Sequence, residues 1–242
     1  MRLAILCTVT LSAAAQAGVR LDLDTVDPRG GSGEQRMELQ GDKVRVDSLS
    51  QEATASGGVN RVPRSTVIFD GTEMFTVDHR SRTYMAFDQA QANAQRERLK
   101  QMQANLPPEA RAQFEQAMKQ EADPAKVTFK KGSGTDRIAG FACTNYTELR
   151  NGAERGTVCL ATWKAGPVKK EDLAGLVKFA QTMGAAEASG KTMLVNPEDW
   201  PGFPVSSQSN AGQIVRLKSA VRSTIPDNEF QPPADYIRKP LP

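Results

Sequence analysis

Few residues in this chain have the types and spacing that catalysis requires. His79 is the single histidine and lies in a polar turn, 78–81. The spacing from His79 to the serines, cysteines and carboxylates of the chain matches no known catalytic family. Gly190-Lys191-Thr192 resembles the end of a phosphate-binding loop, but that loop needs a glycine where Ala185 stands. We therefore interpret His79 as a surface turn residue and predict no enzymatic activity, no metal site and no cofactor.

Cys143 and Cys159 have a spacing that favours a disulfide. Strands are predicted on either side of Asn151-Gly152, a dipeptide typical of hairpin turns. A three-residue loop, Arg150 to Gly152, would place the two cysteines directly opposite each other. In an exported protein such a pair is more often a disulfide than a metal or redox site, and two buried free thiols are the alternative.

The N-terminal residues predict export. Met1-Arg2 is followed by the uncharged, mostly apolar run Leu3–Ala15, and Ala15-Gln16-Ala17 has the pattern of a signal-peptidase site. Cleavage after Ala17 would leave one domain, 18–242, and we place it in the periplasm of a Gram-negative cell. A lipoprotein anchor at Cys7 is disfavoured because this cysteine lies inside the apolar run.

Charge and hydropathy exclude two classes of protein. Removing Arg2 with the leader lowers the formal net charge from +3 to +2, which is too small for the basic surface of a nucleic-acid-binding protein. The second excluded class is proteins with transmembrane helices, because no later apolar stretch approaches the roughly 20 residues that such a helix needs.

Alternating apolar and polar residues predict that strands dominate the fold. Asp70-Gly71 and Gly41-Asp42 each lie between two alternating segments and indicate hairpins. Residues 50–64, rich in Ser, Gly, Asn and Pro, are predicted to form a mobile loop. The proline-rich tail, Phe230–Pro242, is predicted to be irregular.

Three segments have helical composition and spacing: 89–105, 109–122 and 170–186. Together with about eleven strands, they predict an α+β fold in which a curved antiparallel sheet carries helices on one face.

Five short motifs resemble the lipoprotein-carrier (LolA/LolB-like) superfamily, and an exported branch of it in particular. They are Val44-Arg45-Val46-Asp47, the hairpin 67–78 with Asp70-Gly71 at its turn, Gly140-Phe141-Ala142-Cys143, Gly202-Phe203-Pro204-Val205, and the closing 225–233. The resemblance implies an incomplete antiparallel barrel of about eleven strands, a half-barrel whose apolar concave face is covered by helices. The carriers begin with a helix, whereas this chain enters a strand almost at once, so its lid would come from 89–122 and 170–186.

The resemblance implies a hydrophobic or lipid-like ligand held in the half-barrel. Arg45 is the positional match for an arginine that holds the carriers closed. The candidate ligand-binding residues are Arg45, Phe69, Met74, Phe75, Met102, Phe114 and Met118. Methionine offers adaptable apolar surface, although core packing explains these residues equally well. The alternative is a scaffold with a closed core that binds an envelope protein partner through 89–122 and the tail.

Overall fold

The computed structural model describes residues 17–29, 31–53, 59–87, 97–98, 101–111, 127–183 and 200–240. Twelve strands account for most of them. Their bounds are β1 Ala17–Val26, β2 Ser32–Gln40, β3 Lys43–Ala53, β4 Val59–Phe69, β5 Met74–Asp78, β6 Thr83–Phe87, β7 Val127–Ile138, β8 Phe141–Arg150, β9 Ala153–Ala161, β10 Phe203–Ser209, β11 Ile214–Thr224 and β12 Ile237–Arg238.

All twelve strands belong to one open sheet of order β12-β6-β5-β4-β3-β2-β1-β11-β10-β9-β8-β7. Every pairing is antiparallel except that of β12, which runs parallel to β6. β7 approaches β11 although three strands lie between them in the sheet, so this half is strongly curved. The predicted curved, incomplete barrel is confirmed. The strand beyond the expected eleven is β12, which lies in the tail predicted to be irregular.

A short helical segment covers one face of the sheet. It begins with a 3₁₀ turn, η1 (Lys170–Leu173), and continues as α1 (Ala174–Met183), which packs on β2 and β3. Gly175 makes the close approach possible, because a Cβ there would lie 2.9 Å from the backbone carbon of Asp42. Lys178 pairs with the Asp42 carboxylate at 2.6 Å. We call the face under α1 the inner face.

The two helices predicted between 89 and 122 are described only in part. Residues 101–104 and 108–111 are helical, so the first and second predicted helices are separate, and Pro108 stands at the first position of the second stretch. Met102 is exposed there, whereas Phe114 and Met118 lie outside the described residues.

Strand alternation divides the core between the two faces of the sheet. On the inner face Val19, Leu39, Val44 and Phe69 are at most 2% exposed and pack with Leu173 of η1. The outer face has its own cluster, which we call the outer cluster: Ile68, Phe75, Val77 and Ala86 from the sheet, with Ile225 and Phe230 from beyond β11. Phe230 lies in η2 (Asp227–Phe230) and is fully buried.

The prediction of a loop at 50–64 was wrong at both ends. β3 continues to Ala53 and β4 begins at Val59, and the two strands pair through this polar stretch. Pro63 is tolerated because β5 pairs with β4 only from Ser65 onward, so Pro63 faces no second neighbour that needs its missing N–H.

The cysteine hairpin is present, but its predicted loop was wrong. Asn151 and Gly152 form a two-residue turn with φ of 50° and 80°, and Arg150 pairs with Ala153. A bulge next to the turn shifts the register, so that Cys143 faces Ala161 and Asn145 faces Cys159. The cysteines are therefore diagonal neighbours, with Cα atoms 5.4 Å apart, and they form the expected disulfide.

We expect loss of this disulfide to destabilise the fold. Replacing both residues in a protein that spans 18–242 (Cys143→Ser with Cys159→Ser) should lower the free energy of unfolding by about 3 kcal/mol, because the unfolded chain regains the freedom that the closed loop removes. Urea denaturation with and without reductant measures this loss of unfolding free energy. Reductant should not shift the midpoint of the double variant, and equal midpoints for the oxidised and double-variant proteins would contradict the prediction.

Candidate functional site

The sheet separates the residues that the sequence grouped as ligand-binding. Phe69 and Met74 are paired across β4 and β5 on the inner face, and the Phe69 ring lies 5.7 Å from the ring of Phe179 in α1. Phe75 points to the outer face, where its ring lies 6.2 Å from that of Tyr84. Arg45 lies on the same face as Phe75, because it pairs with Ile68 of the outer cluster.

The strand register aligns a second, mostly apolar row on the inner face. One side chain from each of seven neighbouring strands meets the next in register, and we call this set the open row. Its members are Ala220, Leu21, Met37, Val46, Val67, Thr76 and Met85. Leu21 is buried, and the other six are only half-buried. From β1 to β6 the row crosses five strand spacings, about 24 Å.

The open row lies between a covered apolar row and a polar one. The covered row contains Val19, Leu39, Val44 and Phe69, which pack with the helical segment. On the other side, register places Gln35, Ser48 and Ser65 side by side on β2, β3 and β4, and all three are half-buried. The inner face therefore carries an apolar strip with hydrogen-bonding groups along one margin.

A cavity of about 150 Å³ lies inside the curl formed by β7 to β11. Cavities of this size hold a benzene-sized molecule when their walls are apolar. Here Cys159, Ile138 and Ile214 are accompanied by seven polar or charged side chains, namely Asp136, Asn145, Thr157, Ser206, Ser207, Gln208 and Arg216. This lining gives an acyl chain little to pack against, so the open row is the better candidate for a hydrophobic ligand.

Arg45 forms an ion pair and a backbone hydrogen bond on the outer face. Its guanidinium lies 3.0 Å from Oδ1 of Asp47 and donates a 2.8 Å hydrogen bond to the backbone carbonyl of Glu229. The Asp47 side chain is buried and also accepts a 2.6 Å hydrogen bond from the hydroxyl of Thr66. Arg45 thus ties the region of η2 to β3.

His79 extends this network and is more than a surface turn residue. Its Nε2 lies 2.7 Å from the Thr66 hydroxyl, and its Nδ1 lies 3.0 Å from the hydroxyl of Tyr236. Burial lowers the pKa of His79, Asp47 and Asp78 oppose that shift, and Arg45 adds to it. The sequence reasoning missed this role because Tyr236 is 157 residues away and no local pattern marks it.

The network contains the residue types of a hydrolase triad, but it is connected differently. In a triad the carboxylate orients the histidine, whereas Asp47 here accepts from Thr66, and Thr66 is 1% exposed. A substrate therefore has no access to the Thr66 hydroxyl. Within the described ranges, no group of three or more His, Cys, Asp or Glu side chains could hold a metal ion. None of the helices in the described part of the chain is long and apolar enough to cross a membrane.

We expect removal of the Asp47 charge to lower the stability of the fold. Asp47→Asn would remove the buried carboxylate partner of the Arg45 guanidinium, 12% exposed, and leave it only the more exposed carboxylate of Glu229 at 3.3 Å. We expect the free energy of unfolding to fall by about 3 kcal/mol. Asp24→Asn is the matched control, since Asp24 pairs with Lys218 at a 42% exposed side chain and should cost less than about 1 kcal/mol. Urea denaturation compares the two, and an equal loss in both variants would refute the role assigned to Asp47.

Comparison with known proteins gives structural similarity alone. No protein-family model matches the chain, and no curated protein matches it. Among solved structures, an uncharacterized conserved protein from Thermus thermophilus is 7% identical with a TM-score of 0.46, over 93% of this chain and 91% of that one.

Two further structures are similar at lower TM-scores. The MucA/MucB complex of Pseudomonas aeruginosa gives 11% identity and a TM-score of 0.41, over 92% of this chain and 58% of that one. A LolA superfamily protein from Nitrosomonas europaea gives 8% identity and a TM-score of 0.29, over 90% and 91%. The solved structures similar to this chain thus include a member of the superfamily that its sequence motifs resemble.

Proposed function

We propose that this chain is an exported, non-enzymatic envelope protein that binds a hydrophobic or lipid-like ligand on the inner face of its half-barrel. The observation that carries the proposal is the open row, a strip of six apolar side chains and Thr76 across seven strands, which is mostly half-buried beside a buried apolar row. Phe69 and Met74, predicted as ligand-binding, lie in or beside the covered row, next to the open row. In this proposal they pack beside the binding surface and are not part of it.

The energetics favour an elongated apolar guest. A ligand that completed the burial of Met37, Val46, Val67 and Met85 would gain about 1 kcal/mol at each side chain, at roughly 25 cal/mol per Å² of apolar surface. Met85 at one end of the strip and Met37 near its middle can adjust to guests of different shape. The polar margin, Gln35, Ser48 and Ser65, offers hydrogen bonds to a head group, so an amphiphile fits the strip better than a pure hydrocarbon.

The disulfide supports the proposed location. Disulfides persist in oxidising compartments, and the bacterial periplasm is one of them. We therefore propose that the chain is exported, is cleaved after Ala17, and functions in the periplasm as the single domain 18–242.

Native mass spectrometry of mature 18–242, purified from the periplasm, tests the proposal directly. We expect a bound species of acyl-chain mass that solvent extraction removes, and renewed binding when the stripped protein is incubated with palmitate. An apo mass that palmitate and phospholipid vesicles leave unshifted would overturn the proposal. It would favour the alternative, an envelope scaffold with a closed core that binds a protein partner.

Matched substitutions locate the binding surface. Met37→Gln with Val67→Thr introduces polar groups into the open row at nearly constant shape, and we expect palmitate affinity to fall by roughly tenfold, about 1.4 kcal/mol. Val221→Thr is the control, because Val221 is 52% exposed and lies outside the row. Titration of tryptophan fluorescence or native mass spectrometry gives both affinities, and equal affinities would exclude the open row as the binding surface.

A further inference from the structure

The cavity inside the curl of β7 to β11 takes no part in binding at the open row. Its ten lining residues all belong to these five strands, whereas the open row crosses β1 to β6 and meets β11 only at Ala220. The cavity measures about 150 Å³, which suits a guest of about six to eight non-hydrogen atoms. Side chains normally fill the interior of so narrow a β structure, so an open volume with polar walls indicates a binding site.

Two oppositely charged residues line this cavity from the end strands of the curl. Asp136 lies on β7 and Arg216 on β11, and these strands approach each other although three strands lie between them in the sheet. Both residues are exposed, so a small solute can reach them. In the part of the chain that the structure describes, Asp136 and Arg216 form no ion pair with each other or with any other side chain.

Arg216 has no ion pair among the described residues although a carboxylate stands opposite it. The pairing of β1 with β11 places Asp24 across from Arg216, but the Asp24 carboxylate lies 3.2 Å from Nζ of Lys218. Lys218 also binds Glu34 at 3.1 Å, so both of these carboxylates already have a cation. The Arg216 guanidinium is therefore available to an anionic group in the cavity.

Asp136 is presented by an irregular part of β7. The register of β7 with β8 shifts between Lys131 and Thr135, directly before Asp136 pairs with Cys143. Such bulges re-aim side chains and are common beside binding sites. Oδ1 of Asp136 accepts a 2.7 Å hydrogen bond from the Arg137 amide, and Oδ2 has no hydrogen-bond donor among the described residues. That second oxygen can accept from a cationic guest.

We infer that the cavity binds a small polar α-amino acid as a zwitterion, with its ammonium group at Asp136 and its carboxylate at Arg216. In such a molecule the nitrogen and the carboxylate oxygens are roughly 3 Å apart, and each charge-assisted hydrogen bond spans roughly 2.8 Å. The guest therefore bridges two opposite charges that do not pair directly. An anion or a cation alone would neutralise only one wall of the cavity.

The neutral lining favours a short, polar side chain on the amino acid. Thr157, Ser206 and Gln208 contribute side chains that make no hydrogen bond with any described residue, so they are available to a hydroxyl group on the guest. Ile138 and Ile214 offer apolar contact to its carbon atoms. Serine has both kinds of group and about seven non-hydrogen atoms, which is within the size that the cavity accommodates.

Titration with L-serine tests the inference. In a protein that spans 18–242, followed by nuclear magnetic resonance, we expect saturable shifts of the backbone amides of Cys159, Ser206 and Arg216, while those of Met37 and Val67 in the open row stay in place. Two analogues isolate the charges: ethanolamine lacks the carboxylate of serine, and glycerate carries a hydroxyl in place of its ammonium group. Each should bind at least about tenfold more weakly than serine, because one charged wall loses its partner.

Three results of this titration would overturn the inference. Unshifted amides of Cys159, Ser206 and Arg216 at roughly 10 mM serine would mean that the cavity holds water only. Ethanolamine or glycerate binding as tightly as serine would show that one charge suffices. Inorganic phosphate binding as tightly as serine would identify a simple anion site at Arg216. Binding at the open row is measured with palmitate, so failure of one proposal leaves the other standing.

Variants that remove one charge locate the guest. Asp136→Asn and Arg216→Gln should each weaken serine binding at least about tenfold. Because neither residue forms an ion pair with a described side chain, the midpoint of urea denaturation should not change. Arg216→Gln should also leave the affinity for ethanolamine within about twofold of the wild type, since ethanolamine has no carboxylate that could lose its partner.

Asp24→Asn is the matched control for these variants. It removes a charge opposite Arg216 but outside the cavity, so serine should bind it within about twofold of the wild type. Equal serine affinity in the wild type and in either cavity variant, or a tenfold loss in the control, would exclude Asp136 and Arg216 as the groups that bind the guest.

Discussion

The pairing of β1 with β11 is the interaction on which the rest of the structure depends. The chain builds one meander, β1 to β6, and a second, β7 to β11, and this pair of strands joins them into a single sheet. Ten residues of β1 take part, and Val19 and Leu21 bring their side chains to the inner core. If this pairing failed, the open row would lose Ala220 and the curl would be separated from the strip beside it.

Polar contacts fix the register of that central pair. A bulge between Asp22 and Leu23 coincides with Lys218, which binds the carboxylates of Asp24 and Glu34. Burial alone would raise the pKa of Asp22, but hydrogen bonds from Ser219 and Arg36 and the charge of Arg36 hold it below its ordinary value. Since a slip of one residue would exchange the two faces of β1, these contacts protect the inner core.

The two faces of the sheet carry different kinds of side chains. The inner face carries apolar rows, one covered by η1 and α1 and one half-open, which is the arrangement expected for a surface that receives a guest. The outer face carries ion pairs, such as Arg20 with the buried Glu38, and a cluster that the C-terminal segment covers. The proposed ligand-binding surface and the network around Arg45 therefore lie on opposite faces.

The sequence by itself determined the elements and their local pairings. Alternation and turn dipeptides placed most strands, and the spacing of Cys143 and Cys159 indicated the disulfide, because these features depend on neighbours along the chain. Tertiary structure decided the rest. Position 156 requires glycine, because a Cβ there would lie 2.2 Å from the Gln208 carbonyl oxygen. The bulge that sets the register of the cysteines therefore depends on contact with a strand that is distant in the sequence. His79 gained its role from Tyr236, and Phe75 faces away from Phe69, because partners and faces depend on contacts between segments that the local pattern does not encode.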